Sequence, residues 1–155
     1  MGFPVSKEPM TEYNVRELLP HREPILLVDH VLDLEIGESI ITERTFPEGD
    51  PVFDGHFPGN PIMPGMLTIE ALAQTAGVLI NITNEKTADE SLFFFMSVDG
   101  VKFRRPVLPG MTIRFYATQI QKRGHVYKFF GVARDENGDK MAEATFTAKW
   151  SERAE

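Results

Sequence analysis

His56 and Glu70 are the residues whose types and spacing point to chemistry. His56 stands in the run Asp54-Gly55-His56-Phe57-Pro58-Gly59-Asn60-Pro61-Ile62-Met63-Pro64-Gly65, and Glu70 follows it by fourteen residues. A neutral imidazole accepts a proton near neutral pH. A carboxyl group in apolar surroundings keeps its proton, because desolvation disfavours the charged form, and it can then give that proton away. Such a pair suits β-elimination of water: the base removes the proton next to a carbonyl, and the acid protonates the leaving hydroxyl. The intermediate is enolate-like, with negative charge on the carbonyl oxygen. A helix starting beside Gly65 would meet that charge with unpaired backbone N–H groups and its positive dipole end. Gly65 has no side chain to block close approach.

The elements around these residues must position them. Residues 47–65 hold five prolines and four glycines, so this stretch is neither a helix nor a central strand. Pro58, Pro61 and Pro64 stiffen the loop and fix His56. A helical pattern begins at Met66 and is expected to run to about Ile82. With Met66 at zero and about 100° per residue, Glu70, Asn81 and Gln74 fall near 40°, 60° and 80°, one narrow polar stripe. Thr68 and Thr75 lie opposite, and the remaining positions are apolar or glycine. A helix apolar nearly all round is a buried one, which makes the charge of Glu70 unexpected. Gln74, one turn on, is the natural hydrogen-bond partner to orient it.

Upstream, residues 12–19 predict a short helix ended near Pro20, Ile25–Leu34 a strand, and Glu38–Phe46 a second strand after the Gly37 turn. Downstream, strands are expected over Ser91–Val107, Met111–Gln121, residues 125–134 and Lys140–Trp150. Arg123-Gly124 and Asn137-Gly138 mark turns, the latter a strong hairpin signal. Ile113, Phe115 and Ala117 share one face with Met111, and Ala142, Ala144, Phe146, Ala148 and Trp150 share another. One buried helix with five or six mostly antiparallel strands is an α+β fold, with a curved sheet wrapped around the helix.

Composition narrows the classes. A chain of 155 residues is expected to form a single domain, residues 1–155, with 1–11 a loose arm. It has no cysteine, which excludes disulfides and thiolate metal sites and fits a reducing compartment. No apolar run reads as a membrane span, and no basic region followed by an apolar stretch marks a secretory signal at the start. Residues 1–6 formally fit a myristoylation pattern, but Pro4 sits awkwardly in it and the segment reads as an ordinary start. A net charge of −7 and a pI of about 5.1 argue against a nucleic-acid partner. An acidic partner would need a local basic patch, and Lys102, Arg104 and Arg105 form the candidate.

Plainer readings stand beside these. A histidine in a loop is commonly a surface or hydrogen-bonding residue. Glu70 would serve structure if it paired with Arg22 or Arg104, since glutamate is rarely buried unpaired. The Phe and Met residues at 63, 66, 93–96 and 103 are core by default, and Phe57, Met63 and Met66 are candidates to line an acyl tunnel. His21, His30 and His125 show no metal-ligand spacing with one another or with His56, and no site role is assigned to them.

Four blocks of the chain closely resemble the FabZ family, the 3-hydroxyacyl-acyl-carrier-protein dehydratases of bacterial fatty acid synthesis. They are Leu19-Pro20-His21-Arg22 leading to Leu26-Leu27-Val28-Asp29; Gly55 to Met66; Glu70-Ala71-Leu72-Ala73-Gln74; and Val101-Lys102-Phe103-Arg104-Arg105-Pro106-Val107-Leu108-Pro109-Gly110. The second and third, in register, are very specific. The family usually has an acidic residue after the last Pro-Gly, where this chain has Met111. The resemblance implies the hotdog fold, with His56 and Glu70 catalytic and the Gly65 amide holding the thioester carbonyl. It implies simple dehydration, because the dehydratase-isomerase branch carries Asp at the position of Glu70. It further implies an active site formed across a homodimer, dimers that join as a hexamer, no cofactor, and a cytoplasmic enzyme. The partner implied is acyl carrier protein, whose phosphopantetheine arm bears the acyl chain; Lys102, Arg104 and Arg105 are the candidates to dock it, with structural ion pairs the competing reading of the same residues. Competing readings are a hotdog thioesterase, which activates water with a helix carboxylate, and a non-catalytic acyl-binding module.

Overall fold

The computed structural model describes residues 8–153. The first part of the expected arm, with the myristoylation-like pattern, lies outside the described residues. Of the rest, Met10 donates its N–H to Val31 O at 2.8 Å and its side chain packs on the core, so the arm is tied down there.

The order of elements is α1 (Val15–Leu18), β1 (His30–Glu35), β2 (Ser39–Thr45), α2 (Gly65–Thr83), β3 (Ser91–Phe103), β4 (Thr112–Arg123), β5 (Val126–Arg134) and β6 (Lys140–Glu152). Among the described residues, six strands form one sheet in the order β1-β2-β4-β5-β6-β3, every pair antiparallel. The sheet wraps α2, the α+β arrangement expected from the periodicities. α2 is long and apolar enough to span a membrane; its burial inside the sheet accounts for that composition.

The core lies between α2 and the concave face. Ile69, Leu72, Leu79 and Ile80 meet Phe115, Phe129 and Phe146, all 1% exposed or less. Each such side chain contributes about 1.5–3 kcal/mol by leaving water. The helix lies so close to the sheet that a Cβ on Gly131 would stand 3.1 Å from the Phe146 ring and 3.2 Å from Leu72. Thr75 and Asn81, polar groups buried on α2, are matched. Thr75 donates to Ala71 O at 2.8 Å, which leaves its oxygen to accept from Thr42, also at 2.8 Å. Asn81 donates to Leu18 O at 2.7 Å and accepts from Trp150 Nε1 at 2.9 Å.

Several expectations need correction. The upstream helix is one turn, Val15–Leu18, capped by Asn14. The strand expected from Ile25 starts only at His30. Leu26, Leu27 and Val28 are buried, but the Ile25 and Leu26 amides turn back to Arg22 O and that of Leu27 goes to Gln74, which leaves no ladder to form. β3 stops at Phe103, where the Arg104 and Arg105 amides both turn to Met141 O and Pro106 has no N–H to offer. The Phe and Met residues at 93–96 are not all core: Phe93 and Phe95 pack inward, while Phe94 and Met96, with Leu92, are exposed on this edge strand.

Candidate active site

His56 is held by a loop that closes on itself. Asp50 caps a short 3₁₀ turn at Pro51–Phe53, and the His56 amide reaches Phe53 O at 3.3 Å. Phe57 and Asn60 exchange backbone hydrogen bonds at 3.0 and 2.9 Å, and the Ile62 amide returns to His56 O at 2.8 Å. The exit is pinned by Met63, whose N–H meets Val107 O at 2.9 Å. The imidazole stacks on Phe57 with ring centroids 4.1 Å apart. Its Nδ1 lies 3.0 Å from Ile62 O. A carbonyl only accepts, so Nδ1 carries the proton of the neutral ring and Nε2 is the basic nitrogen.

The ring lines a cavity of about 400 Å³ together with Met63, Gly65, Met66, Phe103 and Val107. Met66 and Phe103 are 58% and 54% exposed, apolar walls open to solvent in the single chain. Gly65 opens α2 after Pro64, which supplies no capping side chain. The first N–H groups of a helix lack intrahelical acceptors, so this end of α2 is suited to negative charge. A Cβ at Gly65 would stand 2.7 Å from the Phe103 ring, so any side chain here displaces that wall. Phe57 is not in this cavity. It lines a second hollow of about 410 Å³ behind the loop, with Glu48, Asp54 and Pro58, so the tunnel set of Phe57, Met63 and Met66 divides.

Glu70 is not among the residues lining the His56 cavity. It sits on the polar stripe of α2, where Gln74 Nε2 donates to its Oε2 at 2.7 Å. Gln74 is wholly buried; it also donates to Ile25 O at 2.8 Å and accepts from the Leu27 amide at 2.9 Å. Gln74 thus stands in hydrogen-bond contact with Glu70 one helical turn away. The apolar enclosure expected around Glu70 is incomplete, with 29% of the side chain exposed. Neither Arg22 nor Arg104 is its partner. Arg22 donates to three carbonyls, of Leu19, His21 and Arg16, and Arg104 pairs with Glu143 at 2.7 Å, holding that carboxyl below its usual value.

The titratable neighbour of Glu70 is His21, to which the sequence assigns no site role. His21 Nε2 lies 3.7 Å from Glu70 Oε2, and burial of the ring is the largest influence lowering its pKa. Metal-ligand spacing does not mark this residue; the signal in the sequence is that the stripe of α2 must face some segment, and Leu19–Asp29 is rich in apolar residues. His30 and His125 lie elsewhere, near Glu43 and Trp150. Arg104 and Arg105 line the cavity, but each is already paired, Arg105 with Asp139 at 3.1 Å. Lys102 is exposed on β3, opposite Glu143.

Residues 19–145 match the model of the FabA-like domain family. A 3-hydroxyacyl-[acyl-carrier-protein] dehydratase FabZ of Gluconacetobacter diazotrophicus is 42% identical over 94% of this chain and 89% of its own length. One from Caulobacter sp. strain K31 is 45% identical over 94% and 90%. The chain belongs to the FabA-like family. Solved structures agree on the hotdog fold that the α2-and-sheet arrangement displays. A chain of the dehydratase heterocomplex ApeI:P from Xenorhabdus doucetiae superposes with a TM-score of 0.75 at 17% identity, covering 90% of this chain and 91% of that one. A hypothetical thioesterase from Streptococcus pneumoniae, solved with coenzyme A, gives 0.61 at 7% identity over 81% and 88%. At those identities the likeness speaks to fold alone, and the fold hosts more than one chemistry.

Proposed function

We propose that this family member is a hydro-lyase that converts (3R)-3-hydroxyacyl chains on acyl carrier protein to the trans-2-enoyl thioesters in fatty acid biosynthesis. The observation that carries the mechanism is the His56 Nδ1–Ile62 O contact, which leaves Nε2 basic on a ring lining an apolar cavity. His56 takes the proton from the carbon next to the thioester carbonyl. Charge then builds on the carbonyl oxygen, against the Gly65 end of α2. Glu70 gives its proton to the 3-hydroxyl, the C–O bond breaks, and water leaves. The double bond forms between carbons 2 and 3.

Glu70 does not line the His56 cavity of its own chain, so the acid in this mechanism comes from a second copy. Edge strand β3, with Leu92, Phe94 and Met96 turned outward, and the uncovered Met66 and Phe103 support a homodimer built over these surfaces. Three such dimers joined as a hexamer complete the assembly we infer. No cofactor enters the scheme, and the cysteine-free chain suits the cytoplasm. Lys102, with Arg104 and Arg105 on the cavity rim, is the docking group for the acidic carrier. Reversal of Lys102 to Glu is expected to raise KM for carrier-linked substrate and leave a pantetheine thioester unaffected.

The test is turnover of a 3-hydroxyacyl thioester on carrier protein by the wild type and by Glu70→Gln, with products analysed. Enoyl product that falls about a hundredfold or more in the variant supports the reading. Free acid would indicate a thioesterase. Tight binding without product would indicate an acyl-binding module.

A further inference from the structure

His21 is the partly buried titratable group that the mechanism above leaves unused. Its side chain is 24% exposed, its Nδ1 is buried with no hydrogen-bond partner, and its Nε2 faces Glu70 Oε2 across 3.7 Å. That oxygen is the one to which Gln74 donates. Among the described residues, no donor is bonded to Oε1.

The tautomer follows from this environment. With the proton on Nδ1, a buried donor would go unpaired and the Nε2 lone pair would face a carboxylate oxygen. With the proton on Nε2, the donor points at Oε2 and only a lone pair is left unmet, the more tolerable defect. Burial is the largest influence keeping the ring neutral; of the charged groups bearing on it, Arg22 beside it acts in the same direction and Glu70 from α2 opposes. A separation of 3.7 Å is beyond a hydrogen bond, but contacts of this kind are long in the free enzyme and tighten as charge develops.

We infer that His21 is a positioning residue for Glu70, holding Oε2 together with Gln74 so that Oε1 presents the proton to the substrate. Its N–H then stabilises the carboxylate left after proton transfer. The inference rests on the dehydration reading. It gives a role in the reaction to a histidine with no contact to the cavity.

Two measurements test it. In the turnover assay, His21→Leu is expected to lower kcat about ten- to a hundredfold, the worth of one hydrogen bond to a charged group, with little change in KM. The high-pH limb of kcat, where the acid must hold its proton, is expected to move to higher pH, because the carboxylate has lost a donor. His21→Gln, which returns an N–H near the Nε2 position, is expected to restore most of both. Unchanged kcat, or a loss with no limb shift and no rescue by Gln, would reduce His21 to packing and overturn the inference. Independently, 15N NMR of the neutral His21 ring should show the proton on Nε2 in the wild type and a mixture of the two tautomers in Glu70→Leu, since the Glu70 oxygen is the acceptor that Nε2 faces. A tautomer unmoved by that substitution would overturn the inference whatever the turnover, whereas a wild type that makes no enoyl product would overturn the dehydration reading itself.

Discussion

Replacing Gln74 by Met tests the link between the N-terminal loop and the acid. Methionine keeps the length and much of the volume of glutamine but neither donates nor accepts strongly. Three hydrogen bonds go: the 2.9 Å bond from the Leu27 amide, the 2.8 Å bond to Ile25 O, and the 2.7 Å bond to Glu70. Leu27 is fully buried, so its N–H goes unmet, at about 1–3 kcal/mol. Ile25 and Glu70 are partly exposed and recover water, so together they add only about 1 kcal/mol. The sum is about 3 kcal/mol. For a domain of this size that lowers Tm by about 6–12 °C. Thermal unfolding at matched protein concentration is the assay, because an oligomer's Tm depends on concentration. A fall of less than about 2 °C would mean that the Leu27 amide finds another acceptor and that Gln74 does not hold the loop. In the same preparation kcat should fall, because Glu70 loses its fixed oxygen.

Three further outcomes are expected. If His56 and Glu70 meet only across two copies, inactive His56→Ala and inactive Glu70→Gln should complement when co-refolded, restoring about a quarter of wild-type activity because half the dimers then hold one intact site of two; activity no greater than either variant alone would place both groups in one chain. Gly65→Ala sets a Cβ 2.7 Å from the Phe103 ring, and since that ring is exposed it should swing aside, so Tm should move by less than about 3 °C while kcat/KM drops about tenfold as the wall leaves the thioester. Burial lowers the pKa of His21 from its ordinary 6.5, so above 6.5 the ring is neutral folded and unfolded alike; as pH falls from 6.5 the unfolded chain takes up a proton that the folded chain refuses, and stability declines until pH passes the lower folded value. Urea unfolding at pH 7, 6 and 5 should therefore show wild type losing more stability than His21→Gln, and parallel losses would refute it.

Period and turn chemistry made much of this fold legible. The inward row Ala142, Ala144, Phe146, Ala148 and Trp150 is buried as its alternation predicts, and the helix expected from Met66 to about Ile82 runs from Gly65 to Thr83. What could not be read locally depends on partners far along the chain. Ile25–Asp29 has the composition of a strand, yet the Leu27 amide is met by a side chain 47 residues away, and no local pattern records such a bond. Phe94 and Met96 read as core because apolar type was the only guide, while their exposure comes from pointing away from α2, between Phe93 and Phe95, which pack inward.

The polar stripe of α2 is the instructive case. Glu70, Gln74 and Asn81 look alike on a helical projection, three polar residues on a buried helix. Packing separates them by what their hydrogen bonds satisfy. Asn81 is engaged at its nitrogen by Leu18 O and at its oxygen by the Trp150 indole, and Gln74 joins the Ile25–Leu27 segment to Glu70. Glu70 alone keeps an oxygen unclaimed within the described chain, at the partly exposed end of the stripe. A buried polar group whose bonds are all made within the fold serves the fold. One that is held by a single oxygen and left open at the other is placed to act on something outside it, and that difference lies in atoms a sequence does not display.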